Sequence, residues 1–462
     1  MVKNNRKDEP LKKIQVIDSV MSKAPPSLVE DMRSFLKYYE DRWTNTRHGH
    51  SKARKEKFMV NAKGQFFTGL IFCVERELKR RGIEIEIVYP KDIIVRPTAK
   101  AEIPGITLRK DQAKIMAAIA RQKYSARGII VAPTGSGKTI VACGIASMYP
   151  AERLLFTCHT KDLLQQTYEA FTERSFDCGR IGNGKKEEGH RITVATVQTL
   201  SRMNPSTFYD KYSGLIVDEC HRVNSPSTQY GRLLQNLYAP MKLGLTATPQ
   251  KELKGRLVLE GLIGPVLGEF SLEEAIAMGV LSKPILHLIP IRINSKIADM
   301  RKYRDIYTAA IVDNRWRNSQ IVDYAKSMTT SNKSTLIIVK EVKHGKRIMD
   351  MMNARKIPAY FVHGKTPAKL RSETKNYLQT KVHKVVVCTD VWREGINIPS
   401  LDCIINACGG KGEIMTLQAL GRGLRATKDK KEVHVVDFLD PYRFVAQHSI
   451  RRLSIYAREG WL

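Results

Sequence analysis

One stretch of the chain decides the fold, because a short apolar run leads directly into a glycine-rich loop and then into a helical pattern: Gly128-Ile129-Ile130-Val131-Ala132-Pro133-Thr134-Gly135-Ser136-Gly137-Lys138-Thr139. Glycines let successive backbone N–H groups point inward, and a helix N-terminus adds its positive dipole end, so this arrangement suits a phosphate group. Lys138 would reach the β- and γ-phosphates of a nucleotide, and the Thr139 hydroxyl would ligate Mg²⁺. The usual first glycine of such loops is Ala132 here, and a glycine-rich turn of purely structural purpose is the alternative. The candidate phosphate-binding residues are Pro133, Thr134, Gly135, Ser136, Gly137, Lys138 and Thr139.

Short apolar runs recur from residue 106 onward, and amphipathic stretches separate them. Such runs are typical of buried parallel strands. Strands that alternate with helices, twice over, predict an α/β protein with two domains, each a parallel sheet flanked by helices. The first series is 128–131, 153–156, 192–195 and 214–217, and the second is 334–339, 385–388, 403–405 and 433–436.

Three domains are predicted, since 462 residues suggest roughly three units of about 150 residues each. Residues 1–100 are expected to form a small basic N-terminal domain. Residues 101–290 then form the first α/β domain, with the phosphate loop, and residues 291–462 form the second. The stretch from Arg96 to Gly105 contains two prolines and breaks the periodicity, as a linker does.

The whole chain is strongly basic, with 77 Lys and Arg against 46 Asp and Glu and a net charge of +31. Because 42% of the residues are hydrophobic, a wholly disordered chain is excluded. The excess charge indicates a polyanionic partner, with nucleic acid ahead of an anionic membrane surface or a merely solubilised basic surface. No apolar stretch approaches the roughly 18 residues that cross a bilayer. The eight cysteines show no paired ligand spacing, so reduced thiols in a cytoplasmic protein are expected.

Two carboxylates, Asp218 and Glu219, follow the apolar run 214–217. A strand that ends in two carboxylates is what phosphoryl transfer needs beside a phosphate loop. Asp218 would hold the metal through water, and Glu219 would orient and deprotonate the attacking water. An Asp-Glu pair that merely closes a strand is common and is the alternative. The two motifs together favour a nucleoside triphosphatase.

Two arginines near the end of the chain, Arg422 and Arg425, lie three residues apart and would share one face of a helix. Two guanidinium groups that point into a cleft suit the charge that develops on a transferred phosphate, as an arginine finger does. On their own they are equally well explained as an ordinary solvated pair. Their place in the second α/β series favours contact with a nucleotide from the far side of a cleft between two domains.

Further motifs stand at 108–112, 159–166, 194–200, 245–249, 363–364, 389–399 and 417–425. With the phosphate loop and the two carboxylates, they make residues 106–460 resemble superfamily 2 of the helicases and nucleic-acid translocases. The resemblance implies two RecA-like domains, ATP with Mg²⁺ as cofactors, and Thr139 and Asp218 as metal ligands. It implies catalytic roles for Lys138, Asp218, Glu219, Gln418, Arg422 and Arg425, and further ATP contacts from Arg109, Gln112, Gly395 and Asn397. It also implies coupling of hydrolysis to movement by His221, Thr246 and Thr248, and DNA contacts from Thr160, Thr196, Gln198, His363, Gly364, Thr389, Trp392 and Arg393.

Several positions depart from the pattern of that family. His159 replaces a usual proline, and Asn397 stands where many relatives have Asp. Cys220 makes the carboxylate motif DECH rather than DEAD, and 246–249 reads TATP rather than SAT, so both point away from RNA unwinding of the DEAD-box kind. Stretches 261–266, 278–284, 313–315 and 436–452 are similar to phage branch-migration helicases and their XPB-like relatives. Gln65 to Leu70 resembles part of the small duplex-binding domain of those phage enzymes.

A basic segment stands in the N-terminal region, with seven Lys and Arg and the single acid Glu56 between residues 42 and 63. These cations would sit on phosphates without reading sequence, and an aromatic such as Trp43 would either stack on an unpaired base or fill a small core. A mobile, solvated loop is the alternative. For Trp392 and Arg393, a wedge or stacking role on nucleic acid is the hypothesis.

The sequence therefore predicts a DNA-dependent ATPase that unwinds and branch-migrates forks, Holliday junctions and other branched DNA with little sequence preference. A role in replication, recombination or repair in the cytoplasm is expected, the host cytoplasm if the chain is phage-encoded, without a membrane partner. An RNA helicase and a non-enzymatic nucleic-acid clamp are the open alternatives. A restriction-type motor is less favoured, since no nuclease constellation is found in the remaining residues.

Overall fold

The computed structural model describes residues 11–46, 49–250, 252–380, 382, 384–389, 398, 401–410, 426, 430–458 and 461–462. The chain divides into two compact units, the first made of residues up to 132 with residues 138–269, and the second made of residues 133–137 with residues from 270 onward. Each unit contains a parallel sheet, and the first also carries a smaller N-terminal sheet and a two-stranded ribbon.

The N-terminal region contains β1 (Lys12–Val16), β2 (Met21–Lys23), β3 (Lys37–Thr46), β4 (Gly49–Phe58), β5 (Gln65–Phe67) and β6 (Ile85–Val88). A four-stranded sheet has the order β5-β2-β1-β6, in which β1 and β6 run parallel and the other pairs are antiparallel. Helices α1 (Pro26–Phe35) and α2 (Ile71–Arg80) share its core. Helix α1 begins with a proline, whose fixed φ and missing N–H suit the first helical position. In α2 the spacing of Ile71, Val74 and Leu78 puts all three buried side chains on one face.

Strands β3 and β4 form a long antiparallel ribbon, from the Lys37–Phe58 pair to the Thr46–Gly49 pair. The basic segment between residues 42 and 63, for which a mobile loop was one alternative, is therefore largely strand. At the base of the ribbon, Glu40 Oε1 lies 2.5 Å from Nζ of Lys254, so one face of the ribbon is tied to the rest of the first unit.

The phosphate loop belongs to an eight-stranded sheet. Its strands are β7 (Arg127–Val131), β8 (Leu154–Cys158), β9 (Cys178–Gly182), β10 (Lys185–Lys186), β11 (Ile192–Thr196), β12 (Gly214–Asp218), β13 (Met241–Thr246) and β14 (Val266–Glu269). Their order is β10-β9-β11-β8-β12-β13-β7-β14, and every pair except β10–β9 is parallel. Strands β7, β8 and β11 are buried along their whole length, which is why they appear in the sequence as continuous apolar runs.

Helices cover both faces of this sheet: α3 (Lys110–Ala120), α4 (Lys138–Met148), α5 (Lys161–Thr172), α6 (Val197–Leu200), α7 (Gln229–Gln235) and α8 (Leu253–Leu262). Because successive side chains of a strand point to opposite faces, Ile130 and Phe156 lie in one core cluster while Ile129 and Leu155 lie in the other. The sheet is therefore the middle layer of three.

The N-terminal sheet is packed against helix α8. A Cβ added at Gly69 would lie 2.2 Å from the carbonyl oxygen of Glu260, so only glycine allows this approach. The buried guanidinium of Arg127 donates to the carbonyl oxygens of Ser19 (2.6 Å), Ile263 (3.1 Å) and Leu262 (3.2 Å). Part of the stretch Gln65–Leu70 thus forms an interface with helix α8.

The second unit has a six-stranded sheet. Its strands are β15 (Lys283–Pro290), β16 (Thr335–Ile338), β17 (Ala359–Val362), β18 (Val385–Cys388), β19 (Cys403–Asn406) and β20 (Glu432–Leu439). Their order is β15-β20-β19-β16-β18-β17, and all neighbours are parallel. The accompanying helices are α9 (Leu272–Ala277), α10 (Ser295–Ala298), α11 (Tyr303–Tyr307), α12 (Arg315–Thr330), α13 (Val342–Ala354), α14 (Ala368–Gln379) and α15 (Val445–Arg458). A π-helical turn, Thr308–Val312, follows α11.

The predicted fold class is confirmed, because each predicted apolar run is a strand of one of two parallel sheets flanked by helices. Two details differ from the predicted domain limits. Strand β15 pairs with β20 along its whole length, so the second sheet begins at Lys283 rather than after residue 290. The expected linker is not free, since the N–H groups of Thr98 and Ala99 donate to Met148 O. No helix in the described part of the chain is long and apolar enough to cross a membrane.

Candidate functional site

The predicted catalytic motifs lie at the carboxyl edge of the first sheet, where its parallel strands end. Strands β12, β13 and β7 are consecutive neighbours and run parallel, so the segments that follow them meet at one edge. These segments are the phosphate loop after Val131, the carboxylates at Asp218, and the TATP motif at Thr246. Residues up to 115 positions apart in sequence are thereby brought together.

The phosphate loop connects β7 to the first residue of α4, Lys138. Gly135 and Gly137 have φ values of +86° and +93°, a backbone conformation that favours glycine. Ser136 Oγ donates to Pro133 O at 2.7 Å, and Nζ of Lys138 donates to Ala132 O at 3.3 Å. The loop therefore combines glycine turns, a helix N-terminus and an ammonium group, which is a donor set that fits the phosphates of a nucleotide.

Residues 108–112, which the resemblance marks as a base-recognition segment, lead into helix α3. Gln112 is buried at the start of α3, and its Oε1 accepts the backbone N–H of Arg109 at 3.1 Å. Its Nε2 is buried and has no hydrogen-bond partner among the described residues, so it is available as a donor to a bound base. The guanidinium of Arg109 lies bidentate on Asp111, with N···O distances of 3.0 and 2.8 Å.

The two carboxylates occupy the end of β12 and the residue after it. Glu219 has φ +49° and ψ +47°, a left-handed conformation that is costly for a residue other than glycine and recurs at functional sites. Its N–H donates to Asp218 Oδ1 at 3.0 Å. Burial alone would raise the pKa of Glu219, but the charge of Lys138 and the hydrogen bond from His221 lower that pKa to about 2. Glu219 is therefore an ionised, buried carboxylate at neutral pH.

A side-chain network joins the carboxylate motif to the TATP motif. Nδ1 of His221 lies 3.0 Å from Thr246 Oγ1 and 3.2 Å from Glu219 Oε2. Thr246 Oγ1 donates to Thr248 O and accepts the N–H of Thr248, both at 3.1 Å. Because the hydroxyl hydrogen of Thr246 is donated to Thr248 O, the Thr246 oxygen is the acceptor in its contact with His221. Nδ1 of His221 is therefore the donor and carries the ring proton. The predicted coupling residues are thus in contact with one another and with the candidate base.

The predicted nucleic-acid contacts of the first unit lie farther along the same edge, after the neighbouring strands β8 and β11. Thr160 and Thr196 cap helices α5 and α6, accepting the N–H groups of Leu163 at 3.2 Å and Thr199 at 3.4 Å. Nε2 of Gln198 lies 2.9 Å from Nδ1 of His159. The two helix N-termini point to this edge, as a phosphate backbone would require.

In the second unit, few of the predicted contacts fall within the described residues. His363 and Gly364 follow β17, and Thr389 follows the neighbouring strand β18, with its N–H donating to Val362 O at 3.1 Å. These three residues lie at one carboxyl edge. The remaining predicted residues lie outside the described part of the chain: Trp392, Arg393, Gly395, Asn397, Gln418, Arg422 and Arg425.

A buried frame in the second unit was not predicted. Four successive carbonyl oxygens, at residues 407 to 410, each lie within hydrogen-bond distance of a different buried side chain. The pairs are Arg317 to Ala407 (3.0 Å), Tyr307 to Cys408 (2.7 Å), His448 to Gly409 (3.1 Å) and Arg452 to Gly410 (2.9 Å). Both arginines are also paired with buried carboxylates, Arg317 with Asp440 at 3.0 Å and Arg452 with Asp437 at 2.8 Å. The sequence does not reveal these pairings, since partners such as Arg317 and Asp440 are 123 positions apart.

Two parts of the chain match known protein families. Residues 105–251 match the family described as "Type III restriction enzyme, res subunit", and residues 317–427 match the family described as "Helicase conserved C-terminal domain". The first match contains the phosphate loop, the two carboxylates and the TATP motif.

Individual relatives are similar over most of the chain. The chain is 28% identical over 390 residues to the DNA 3'-5' translocase XPB2 of Sulfurisphaera tokodaii, covering 77% of this chain and 87% of that protein. It is 23% identical over 373 residues to the ATP-dependent DNA helicase uvsW of Enterobacteria phage T4, covering 72% of each. It is 24% identical to the putative helicase 22 of Sulfolobus islandicus filamentous virus, covering 72% of this chain but only 64% of that protein, less than two thirds of its length.

Solved structures show the same fold. A structure of S. cerevisiae Dbp5 bound to RNA and ADP BeF3 matches with a TM-score of 0.55 at 15% identity, covering 76% of this chain and 88% of that chain. A fragment of a putative HsdR subunit of a type I restriction enzyme from Vibrio vulnificus matches with a TM-score of 0.57 at 17% identity, covering 90% and 79%. At these identities the likeness concerns the fold alone.

Proposed function

We propose, from the premise that the chain belongs to superfamily 2 of the helicases and nucleic-acid translocases, that it is an ATP-driven DNA motor acting on forks and four-way junctions. The observation that carries the proposal is the carboxyl edge of the first sheet. There an ammonium group at Lys138, an ionised carboxylate at Glu219 and the His221–Thr246 contact lie within one connected set of residues.

The phosphate loop and its neighbours would hold ATP with Mg²⁺, which supplies the transferable phosphoryl group and a divalent charge. Residues 133–139 would cradle the phosphates, and Gln112 would donate to the base. Thr139 and Asp218 would hold the metal, as a hydroxyl and a carboxylate suit Mg²⁺. Arg109, Gly395 and Asn397 would complete the nucleotide contacts.

Glu219 would position and deprotonate the attacking water. Its low pKa keeps it ionised, and the contact with His221 fixes its orientation. Gln418, Arg422 and Arg425 would stabilise the charge that develops during phosphoryl transfer.

The network through His221 would couple hydrolysis to movement. A change in the position or charge of Glu219 would alter its contact with His221, whose Nδ1 also donates to Thr246 Oγ1. Thr246 Oγ1 in turn accepts the backbone N–H of Thr248. Helix α8 begins a few residues after Thr248 and carries the N-terminal sheet on its surface. The motif that senses the nucleotide is therefore connected through packed elements to the domain proposed to hold DNA.

DNA is favoured over RNA by the character of the N-terminal ribbon and by the names of two relatives. The ribbon exposes Tyr39, with the Arg54 guanidinium 4.5 Å above its ring, and Phe58, with Arg33 at 5.2 Å. Arginines over exposed rings present both a phosphate contact and an apolar surface to a nucleic acid. The matched proteins of S. tokodaii and phage T4 are named as a DNA translocase and a DNA helicase. Branch migration in replication, recombination or repair is the proposed role.

On nucleic acid, the first unit would grip the backbone through Thr160, Thr196 and Gln198. The second unit would use His363, Gly364, Thr389, Trp392 and Arg393. Alternate gripping by two units that close on ATP and open after hydrolysis would produce stepwise translocation.

An ATPase assay with a panel of nucleic acids tests the proposal. ATP turnover is expected to be stimulated by forks, four-way junctions and D-loops more than by plain duplex DNA or duplex RNA. Lys138→Ala should abolish turnover while leaving DNA binding largely intact, because the phosphates lose their ammonium contact. Lys185→Ala, at an exposed lysine on β10, is the matched control and should behave as wild type. Strong DNA-stimulated turnover in Lys138→Ala would refute the assignment, and stimulation by RNA alone would redirect it to RNA.

A further inference from the structure

An unassigned basic surface lies at the carboxyl edge of the second sheet. Strand β15 ends at Pro290, and the segment that follows it lies at the same edge as the segments after β17 and β18, because all six strands run parallel. Between residues 292 and 304 this segment has five basic side chains and one acidic side chain, Asp299. The five are all exposed: Arg292, Lys296, Arg301, Lys302 and Arg304.

An aromatic cluster lies beside these charges. Tyr303 is 38% exposed, and its ring centroid lies 5.9 Å from Tyr307, 6.0 Å from Phe444 and 5.9 Å from His448. Tyr307 and His448 are buried, so the ring of Tyr303 is supported from below while part of its surface faces solvent. Ile293, 73% exposed, adds apolar surface to the same segment.

Two backbone features accompany the cluster. Phe444 has φ +66°, which is strained for a bulky side chain, and this conformation accompanies an edge-on ring contact with Tyr303. Helix α11 continues into the π-helical turn Thr308–Val312, a form that is often found at functional sites. The strain and the irregular helix both occur where the aromatic ring is presented.

Three cations next to Tyr303 have no ion pair in the part of the chain that the structure describes, whereas Arg292 lies over the ring of Trp316 at 5.7 Å. Among the described residues, no carboxylate lies within 4.0 Å of the cationic groups of Arg301, Lys302 or Arg304. Arg443 lies over the ring of Phe444 at 5.1 Å and extends the basic character around the aromatic cluster. An exposed ring with exposed cations at the neighbouring positions of the chain suits single-stranded nucleic acid, whose bases stack on aromatic rings and whose phosphates bind cations.

We propose that Tyr303, with Arg301, Lys302 and Arg304, is an accessory binding site for single-stranded DNA, which stacks a base on the tyrosine ring and places neighbouring phosphates on the three cations. The site rests on the proposed DNA motor and adds to it a contact for an unpaired strand. It has no part in nucleotide chemistry, so its loss leaves DNA-independent ATP hydrolysis unchanged.

Binding of the full chain to a labelled oligothymidylate of about 16 nucleotides, compared with a duplex of the same length, tests the proposal. Tyr303→Ala should weaken oligothymidylate binding about tenfold, since one stacked base is lost, and should change duplex binding less than about twofold. Tyr303→Phe keeps the ring and should bind as wild type. Wild-type affinity of Tyr303→Ala for the oligothymidylate, or equal losses on both probes, would overturn the stacking site.

The cations are tested by the salt dependence of binding. The triple variant Arg301→Ala/Lys302→Ala/Arg304→Ala should reduce the slope of log K against log salt by about 2 for the oligothymidylate, since each phosphate contact contributes about 0.7. The matched control is Lys326→Ala/Lys356→Ala/Lys431→Ala, which removes the same charge from exposed positions toward the amino edge of the same sheet.

An equal fall in slope for both triple variants would show a general effect of net charge and overturn the proposal. Circular dichroism melting of each variant checks that the fold is retained, and the Tyr303→Phe variant keeps the stacking test interpretable if Tyr303→Ala melts early. Normal DNA-free ATPase in the Tyr303 variants separates failure of this site from failure of the motor itself.

Discussion

The carboxyl edges of the two parallel sheets hold their polar groups in different ways. At the first edge, Glu219, His221 and Thr246 contact one another at 3.0 to 3.2 Å, and each lies at or just after the end of a strand. At the second edge, the described polar groups form a frame, in which buried side chains from distant elements hold the carbonyls of residues 407 to 410. The first edge thus presents reactive groups directly, whereas at the second edge buried side chains hold the backbone of residues 407 to 410.

The largest effect is expected at the first edge. Glu219→Gln keeps the size of the side chain but removes its charge, so ATP turnover should fall at least about a thousandfold while nucleotide affinity changes little. Steady-state ATPase and equilibrium binding of a fluorescent nucleotide measure the two quantities. Glu188→Gln, at an exposed carboxylate of the same unit, is the control. Turnover within about tenfold of wild type would show that Glu219 is not the base.

At the second edge the expected effect is on stability. Asp440→Ala leaves the buried Arg317 without its carboxylate, which should cost about 3 kcal/mol of unfolding free energy in that unit. Urea unfolding measures this loss. The double variant Arg317→Met/Asp440→Leu removes both charges and should recover much of the stability. A double variant as unstable as Asp440→Ala would mean that the carbonyl contact of Arg317 matters more than the ion pair.

The two edges also differ in how much the sequence could predict. The motifs at the first edge were visible in the sequence, because Asp218 and Glu219 directly follow the apolar run 214–217 and Lys138 follows the run 128–131 through the glycine-rich loop. The frame at the second edge was not, since Arg317 and Asp440 are 123 positions apart and Arg317 looks like any surface arginine of a helix. The ribbon β3–β4 was missed for another reason: its strands are dominated by charged and polar residues, so no apolar alternation marks them.

The second sheet begins at Lys283 rather than after residue 290, and the composition of β15 explains this difference from the prediction. Strand β15 carries a proline at its second position and another at its end, and this punctuation is typical of a connection. It is nevertheless an edge strand, paired on one side only with β20, where a missing N–H is tolerated. The two prolines are therefore compatible with a strand at this position.

The second unit should also lose stability in mild acid. Burial, reinforced by the charges of Arg317 and Arg347, lowers the pKa of His344 from its ordinary 6.5 to about 3. The unfolded chain binds a proton at His344 more readily than the folded chain does. The contribution of His344 to the free energy of unfolding is therefore fully present above pH 6.5 and is lost progressively toward pH 3. Between about pH 7 and pH 5 the loss should be about 2 kcal/mol.

The His344→Gln variant tests this source of the acid sensitivity. A glutamine amide can still donate to Asn318, as Nε2 of His344 does over 2.8 Å, but it does not titrate. Unfolding measured at several pH values should therefore show a flatter dependence in the variant than in wild type. Identical slopes would assign the acid sensitivity to other groups.

The smallest effect is expected at the base-recognition segment. Gln112→Ala removes the buried, unpartnered Nε2 donor, so KM for ATP should rise about tenfold and the preference for ATP over GTP should weaken. Gln122→Ala, at the other end of helix α3, is the matched control. Unchanged KM values for both nucleotides in Gln112→Ala would remove Gln112 from the nucleotide site.

Strand separation on a forked DNA duplex tests the central claim most directly, because it requires that the groups at the first edge drive movement along DNA. The full chain should separate the strands only with hydrolysable ATP. The Lys138→Ala variant should bind the same fork with an affinity within about twofold of wild type but leave the strands paired. Separation without ATP, or equal separation by wild type and Lys138→Ala, would contradict the account.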